Sequence, residues 1–215
     1  MYDSHFGGSR VSGRGWSAGA VADGGGHVRS AVFLDRDGTI NEDVGYLDRL
    51  ERLTLFPWSI DAVRLLNAAG FCVVVLTNQR GVATGVISEE FVDTLHGEMR
   101  DRFSTGGASI ERFYYCPHDA TAPIERYRRD CSCRKPKPGM ALQAIDDFGI
   151  DPTRSFVVGD RWSDVAVARN IGATGILVRT GYGVTQAAQA GRPADAIVAA
   201  DLMAATVRIL AEAEG

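Results

Sequence analysis

The sequence predicts an α/β fold, a three-layer sandwich around a central parallel sheet. Short apolar, β-branched runs recur at Ala31 to Leu34, Phe71 to Leu76, Phe156 to Val158 and Gly175 to Val178, each the length of a strand buried on both faces. Segments of helical period lie between them. The first three runs stop abruptly at Asp35, at Thr77-Asn78-Gln79 and at Gly159-Asp160, as buried parallel strands do where their C-terminal ends open into functional loops.

The elements follow in order along the chain. Residues Met1 to Arg29 are rich in Gly and Ser and contain no apolar stretch of signal-peptide type, so they read as a flexible tail ahead of one domain spanning 30–215. After the first strand, Ile60, Val63, Leu66 and Asn67 form one face of a helix that ends at Gly70, a natural C′ residue. Ser88 followed by Glu89 and Glu90 suits a helix start, and Phe91, Leu95, Met99 and Phe103 recur every fourth position beyond it. A further helix opens near Pro138, carries Leu142, Ile145 and Phe148, and closes at Gly149; Ser163-Asp164 and Asp201 begin two more. Alternation of strands and helices at this spacing implies βαβ crossovers.

Composition narrows the class. Of 215 residues, 45% are apolar and 23% charged, with a formal charge of −4, so the chain is globular and has no general attraction for nucleic acid. No stretch approaches the ~20 apolar residues of a membrane span. Cytoplasmic localisation and a monomer are the expectations. His5, His27 and His96 read as ordinary surface or helix positions.

The string Asp35-Arg36-Asp37-Gly38-Thr39 sets two carboxylates two positions apart at a strand end. Standing alone, Asp-x-Asp-Gly is as easily a solvated turn or a calcium loop. Here it follows a buried strand and is accompanied by Thr77, Lys135 and Asp160, whose segments the topology would bring to one sheet edge. Two nearby carboxylates are poor partners for a phosphate dianion unless a divalent cation neutralises charge between them. Magnesium suits such an all-oxygen set, with Asp160 as a further ligand. Thr77 and Lys135 are the candidate groups for phosphoryl oxygens.

A second constellation is softer. Cys116-Pro117-His118 and Cys131-Ser132-Cys133 provide the one imidazole and three thiolates of a tetrahedral structural zinc site. The Arg-rich segment between them, Asp119 to Asp130, shows no core of its own, so metal would do what burial cannot. Arg134 and Lys135 follow the last ligand directly. Cys72 reads as a core residue of its strand.

Together, Val32 to Thr39, Thr77, Lys135 and Gly159-Asp160 resemble the signature segments of the haloacid dehalogenase superfamily. The knot resembles that of its histidinol-phosphatase-like branch, whose members carry a zinc loop, here 116–133, in place of a large cap. The resemblance implies a Rossmann-like fold and a magnesium-dependent phosphatase acting on a small sugar phosphate. It implies Asp35 as nucleophile, Asp37 as acid/base with its main-chain carbonyl on magnesium, Thr77 and Lys135 as phosphate binders, and Asp160 as metal ligand with Asp164 nearby. Asp43, Val44, Gly45, Tyr46, Asn78, Gln79, Arg80 and Arg134 would contact substrate. Arg80 departs from the small serine usual at that place, and the basic residue after the metal-binding aspartate is Arg161. Histidinol phosphate hydrolysis and an inactive zinc-stabilised binding module are the alternatives.

Overall fold

A computed structural model of the chain describes residues 29–189 and 196–213. The expected tail lies outside the described residues except for Arg29, whose main chain pairs with Gly149 and Asp151 at 3.1 and 2.9 Å. Six parallel strands form one sheet in the order β3-β2-β1-β4-β5-β6. They are β1 (Ala31–Leu34), β2 (Cys72–Asn78), β3 (Arg112–Cys116), β4 (Phe156–Gly159), β5 (Thr174–Val178) and β6 (Ile197–Ala199). The helices are α1 (Ser59–Ala68), α2 (Arg80–Thr84), α3 (Glu89–Thr105), α4 (Gly139–Phe148), α5 (Trp162–Ile171), α6 (Gly183–Ala187) and α7 (Leu202–Ala213).

Strand side chains alternate between faces, and this alternation builds two cores. Val32 and Leu34 of β1 meet α1, α3 and α7 through Val63, Leu66, Leu95, Met99, Phe103, Leu202 and Ile209. Ala31 and Phe33 meet α4 and α5 on the other side through Met140, Ala144, Val167 and Ile171. The three layers follow directly from buried residues on both faces of every central strand.

Local signals behave largely as expected. The Ser88 side chain accepts from the Phe91 N–H at 3.1 Å, and Asp201 caps α7 by accepting from the Ala204 N–H at 2.8 Å. In α4 the buried face differs from the expected one. Met140, Ala141 and Ala144 are buried while Leu142 is 50% exposed, because the face turned toward β2, β3 and α5 is the one that carries them; Ile145 and Phe148 only edge the core. Cys72 is buried, as expected. Among the described residues no helix is long and apolar enough to cross a membrane.

Candidate active site

Asp35 is the residue next after β1, and its N–H continues the ladder to the Val158 carbonyl of β4 at 2.9 Å. That pairing fixes the carboxylate at the C-terminal edge of the sheet centre. Gly38 turns the chain away at φ +83°, where a Cβ would lie 2.3 Å from Oδ2 of Asp160. Only glycine allows the turn to pass so near the β4 end.

Four charges meet there. Lys135 Nζ donates to Oδ1 of Asp35 and to the Leu76 carbonyl, both at 2.6 Å, and stands 2.8 Å from Oδ1 of Asp164. Its position is set from β2: the Asn78 amide donates to the Lys135 carbonyl at 3.2 Å and accepts its N–H at 3.1 Å. Asp160 is fully buried; its Oδ2 accepts from the Tyr182 N–H at 2.7 Å, and its Oδ1 has no hydrogen-bond partner among the described residues. Carboxylate oxygens of Asp35, Asp160 and Asp164 lie within 4.8 Å of one another.

Burial pushes the Asp35 carboxyl up to about 8, against the pull of Lys135, with Asp164 and Asp160 adding to the rise. Burial likewise raises Asp160 to about 6. For Lys135, burial acts downward, but the carboxylates of Asp164 and Asp35 outweigh it and the ammonium is held firmly charged. Three buried carboxylates against one ammonium leave an excess of two negative charges when all are ionised. A divalent cation with hard oxygen preference fits that excess and the Asp160 oxygen that accepts no hydrogen bond and has only the Arg161 Nε at 4.0 Å.

Asp37 is turned differently. Its carboxylate takes Arg36 Nε and Nη2 at 3.1 and 2.7 Å, the Asn41 amide at 3.0 Å and the Gln79 amide at 3.0 Å. It still faces the pocket over the cluster, a cavity of about 450 Å³ lined by Asp35, Asp37, Asp43, Gly45, Tyr46, Thr77, Asn78, Arg80, Arg134, Lys135, Arg161, Ser163, Asp164 and Tyr182. Two expected substrate contacts are not on its wall. Gln79 is buried beneath Asp37, donating also to Thr77 Oγ1 at 2.8 Å, and Val44 packs against the core. The spare amide serves Asp37 and Thr77, and an apolar side chain prefers burial. Ser163 and Tyr182 line the pocket as well, without a signal in the sequence: Tyr182 lies in a loop after β5, and its place shows once the fold brings its N–H to Asp160 and the Arg161 guanidinium to 3.8 Å from its ring centroid.

The knot forms beside this pocket. Ligand atoms of Cys116, His118, Cys131 and Cys133 lie within 4.8 Å of one another, and the thiols are not joined in disulfides. A hydrogen bond from Cys133 brings the Cys116 thiol down to about 5 despite burial. Three sulfurs and an imidazole converging in this way fit tetrahedral zinc. The segment between them is not without a core, as the sequence suggested. Ala122 and Tyr127 are buried against Val82, Ala83 and Val92 of α2 and α3, contacts that its Arg-rich composition conceals. Within it Asp119, held by the Thr121 N–H at 2.8 Å, accepts from Arg80 Nε at 3.0 Å and lies 3.4 Å from Arg134 Nη2.

An acidic cluster crossed by a buried lysine, on this strand order and beside a loop that gathers three cysteines and a histidine, is the arrangement of a haloacid-dehalogenase-type hydrolase. A family model described as HAD-hydrolase-like matches residues 132–205. The chain is 44% identical over 161 residues to the D-glycero-beta-D-manno-heptose-1,7-bisphosphate 7-phosphatase of Escherichia coli K12, covering 74% of this chain and 84% of that one. To the protein of the same name from Rhodopseudomonas palustris it is 46% identical over 147 residues, 68% and 82% of the two chains. The crystal structure of D,D-heptose 1,7-bisphosphate phosphatase from B. bronchiseptica, complexed with magnesium and phosphate, is similar with a TM-score of 0.77 and 31% identity, covering 85% of this chain and 99% of that one. The chain belongs to the haloacid dehalogenase superfamily, in the family of the heptose bisphosphate phosphatases, and is a phosphoric monoester hydrolase.

Proposed function

We propose that this enzyme removes the 7-phosphate of D-glycero-D-manno-heptose 1,7-bisphosphate through an aspartyl-phosphate on Asp35, on the way to nucleotide-activated heptose. The observation that carries the reading is the buried Asp35–Lys135 pair at 2.6 Å beneath a mouth lined by Arg80, Arg134 and Arg161. One phosphate meets the nucleophile, and guanidinium groups await another. Histidinol phosphate, whose far end is a cationic amine, suits such a mouth poorly. Intact Asp35, Asp37, Lys135 and Asp160 argue against an inactive binding module.

Lys135 occupies Oδ1 of Asp35, which leaves Oδ2 to attack phosphorus. As that P–O bond forms, the bond to the sugar C7 oxygen breaks, and Asp37, protonated in the acid form of the enzyme once one of the amide contacts to its carboxyl gives way, passes that proton to the departing oxygen. Asp37 then takes a proton from water, whose oxygen attacks phosphorus; the bond to Asp35 breaks and inorganic phosphate leaves. Thr77 Oγ1 already accepts from Gln79 at 2.8 Å, so its own proton is directed to a phosphoryl oxygen, which Lys135 also serves. Magnesium, held by Asp35, Asp160 and the main-chain carbonyl of Asp37, supplies charge neutralisation and orientation when bound. Zinc on Cys116, His118, Cys131 and Cys133 is structural, because four protein ligands leave no place for water. Thiols reserved for metal fit a reducing, cytoplasmic setting.

The test is phosphate release from both anomers of heptose 1,7-bisphosphate and from histidinol phosphate, with and without magnesium. The bisphosphate should be preferred, and Asp35→Asn should abolish turnover while zinc content stays unchanged. Normal turnover by that variant would remove Asp35 from its role, and a preference for histidinol phosphate would overturn the substrate.

A further inference from the structure

Between the two aspartates stands a charged side chain that the steps above leave unused. Arg36 is 1% exposed and among the largest fully buried side chains. A guanidinium has only donors and stays charged in proteins, so each of its N–H groups needs an acceptor. Nε and Nη2 run side by side to Oδ1 and Oδ2 of Asp37 at 3.1 and 2.7 Å. Nη1 points the other way, to Nε2 of His96 on α3 at 3.2 Å.

That contact defines the state of the histidine. Since Arg36 cannot accept, Nε2 must, and the imidazole is neutral with its proton on Nδ1. His96 is 4% exposed. Its ring lies over Phe113 with centroids 4.6 Å apart and planes 19° apart, and meets Tyr115 edge-on at 6.0 Å. Packed in this way, it has little freedom to turn, and Nε2 is a fixed acceptor.

We propose that His96 and Arg36 are positioning residues for Asp37: the neutral imidazole sets the guanidinium fork, and the fork aligns the carboxylate that handles the leaving-group proton. The inference rests on the acid/base role of Asp37 proposed above. It places part of the proton-transfer geometry on α3, outside the signature segments. His96→Leu would leave Arg36 Nη1 buried without its acceptor, and the fork would be free to shift. His96→Gln keeps an acceptor.

The experiment compares a sugar phosphate, whose alkoxide must be protonated as it leaves, with p-nitrophenyl phosphate, whose leaving group departs as a stable anion. In His96→Leu, kcat on the sugar phosphate should fall about 10- to 100-fold with KM within about twofold. The pre-steady-state burst of p-nitrophenolate should keep its rate, and His96→Gln should restore sugar-phosphate turnover to within about threefold. Equal slowing of both substrates, or slowing of neither in a folded variant, overturns the proposal. Should His96→Leu fail to fold, nitrogen NMR of the wild-type imidazole decides: the Nδ1–H tautomer supports the pair, and the Nε2–H tautomer removes it. Asp37→Asn separates the two readings. If that variant shows the discrimination between leaving groups and His96→Leu does not, only the positioning role falls; if Asp37→Asn lacks it, the acid/base assignment itself fails.

Discussion

At the scale of single residues, the tightest constraint is at Gly38. Its φ of +83° and the 2.3 Å between a built Cβ and Asp160 Oδ2 leave a side chain two unfavourable options, strain or displacement of a buried carboxylate. Gly38→Ala should therefore cost about 1–3 kcal/mol in urea denaturation, and magnesium should bind more weakly in a titration, because Asp160 is the group pushed aside. The residues carrying charge at the sheet edge were readable in the chain, since each follows a strand or a ligand-bearing loop. His96 was not. Its partner Arg36 lies 60 positions away, and a histidine between Leu95 and Met99 on an amphipathic helix looks the same whether it meets solvent or a guanidinium. Gln79 looks like a substrate contact in the chain for a related reason: its neighbours Asn78 and Arg80 face the pocket, while its own amide is spent on Asp37 and Thr77.

At the scale of elements, the loop between β3 and α4 has two supports, the four converging Cys and His side chains proposed to hold zinc and the small cluster around Tyr127. Stripping zinc with a chelator should remove one of them. The melting temperature should drop by about 5–10 °C, as expected for a loss of a few kcal/mol in a domain of this size. KM for the bisphosphate should rise more than kcat falls. Arg134 depends on the loop through the His118 carbonyl at 2.9 Å, whereas Lys135 has independent anchors in Asn78, Asp35 and Leu76. Steady-state kinetics before and after chelation would separate the two effects. The strands legible in advance were those buried on both faces. β3 and β6 escaped notice because they are the sheet edges: β3 begins with exposed Arg112, and the three residues of β6 are only half-buried.

For the whole molecule, the buried imidazole makes stability depend on pH. Burial holds the His96 pKa well below its usual 6.5, with Arg36 and Arg100 pushing the same way, and Phe113 and Tyr115 offer it no counter-charge. The folded state thus binds fewer protons than the unfolded chain below pH 6.5, so this contribution is intact above that value and is lost as pH falls toward the depressed pKa. The slope approaches about 1.4 kcal/mol per pH unit. Burial-raised Asp35 and Asp160 take up protons in the folded state over the same range and act in the opposite sense, so the His96 contribution is read as the difference between wild type and His96→Gln in urea denaturation, which should shift against the wild type as pH falls below 6.5. The three-layer architecture itself was evident from strand runs and helical periods, because a sheet covered on both faces leaves that signature in the chain; the pairing of charges inside it depends on tertiary approach.

Cys116 is the last residue of β3, in register with Asn78 of β2, and its carbonyl accepts the Gln79 N–H at 2.9 Å. The first sulfur of the knot is therefore carried by a rung of the sheet, and the other half of that same rung carries the amide that pins the lysine. Melting of the scaffold and release of the ion should accordingly coincide as one cooperative event, so that a colorimetric zinc indicator and a circular dichroism trace would rise and fall along the same curve.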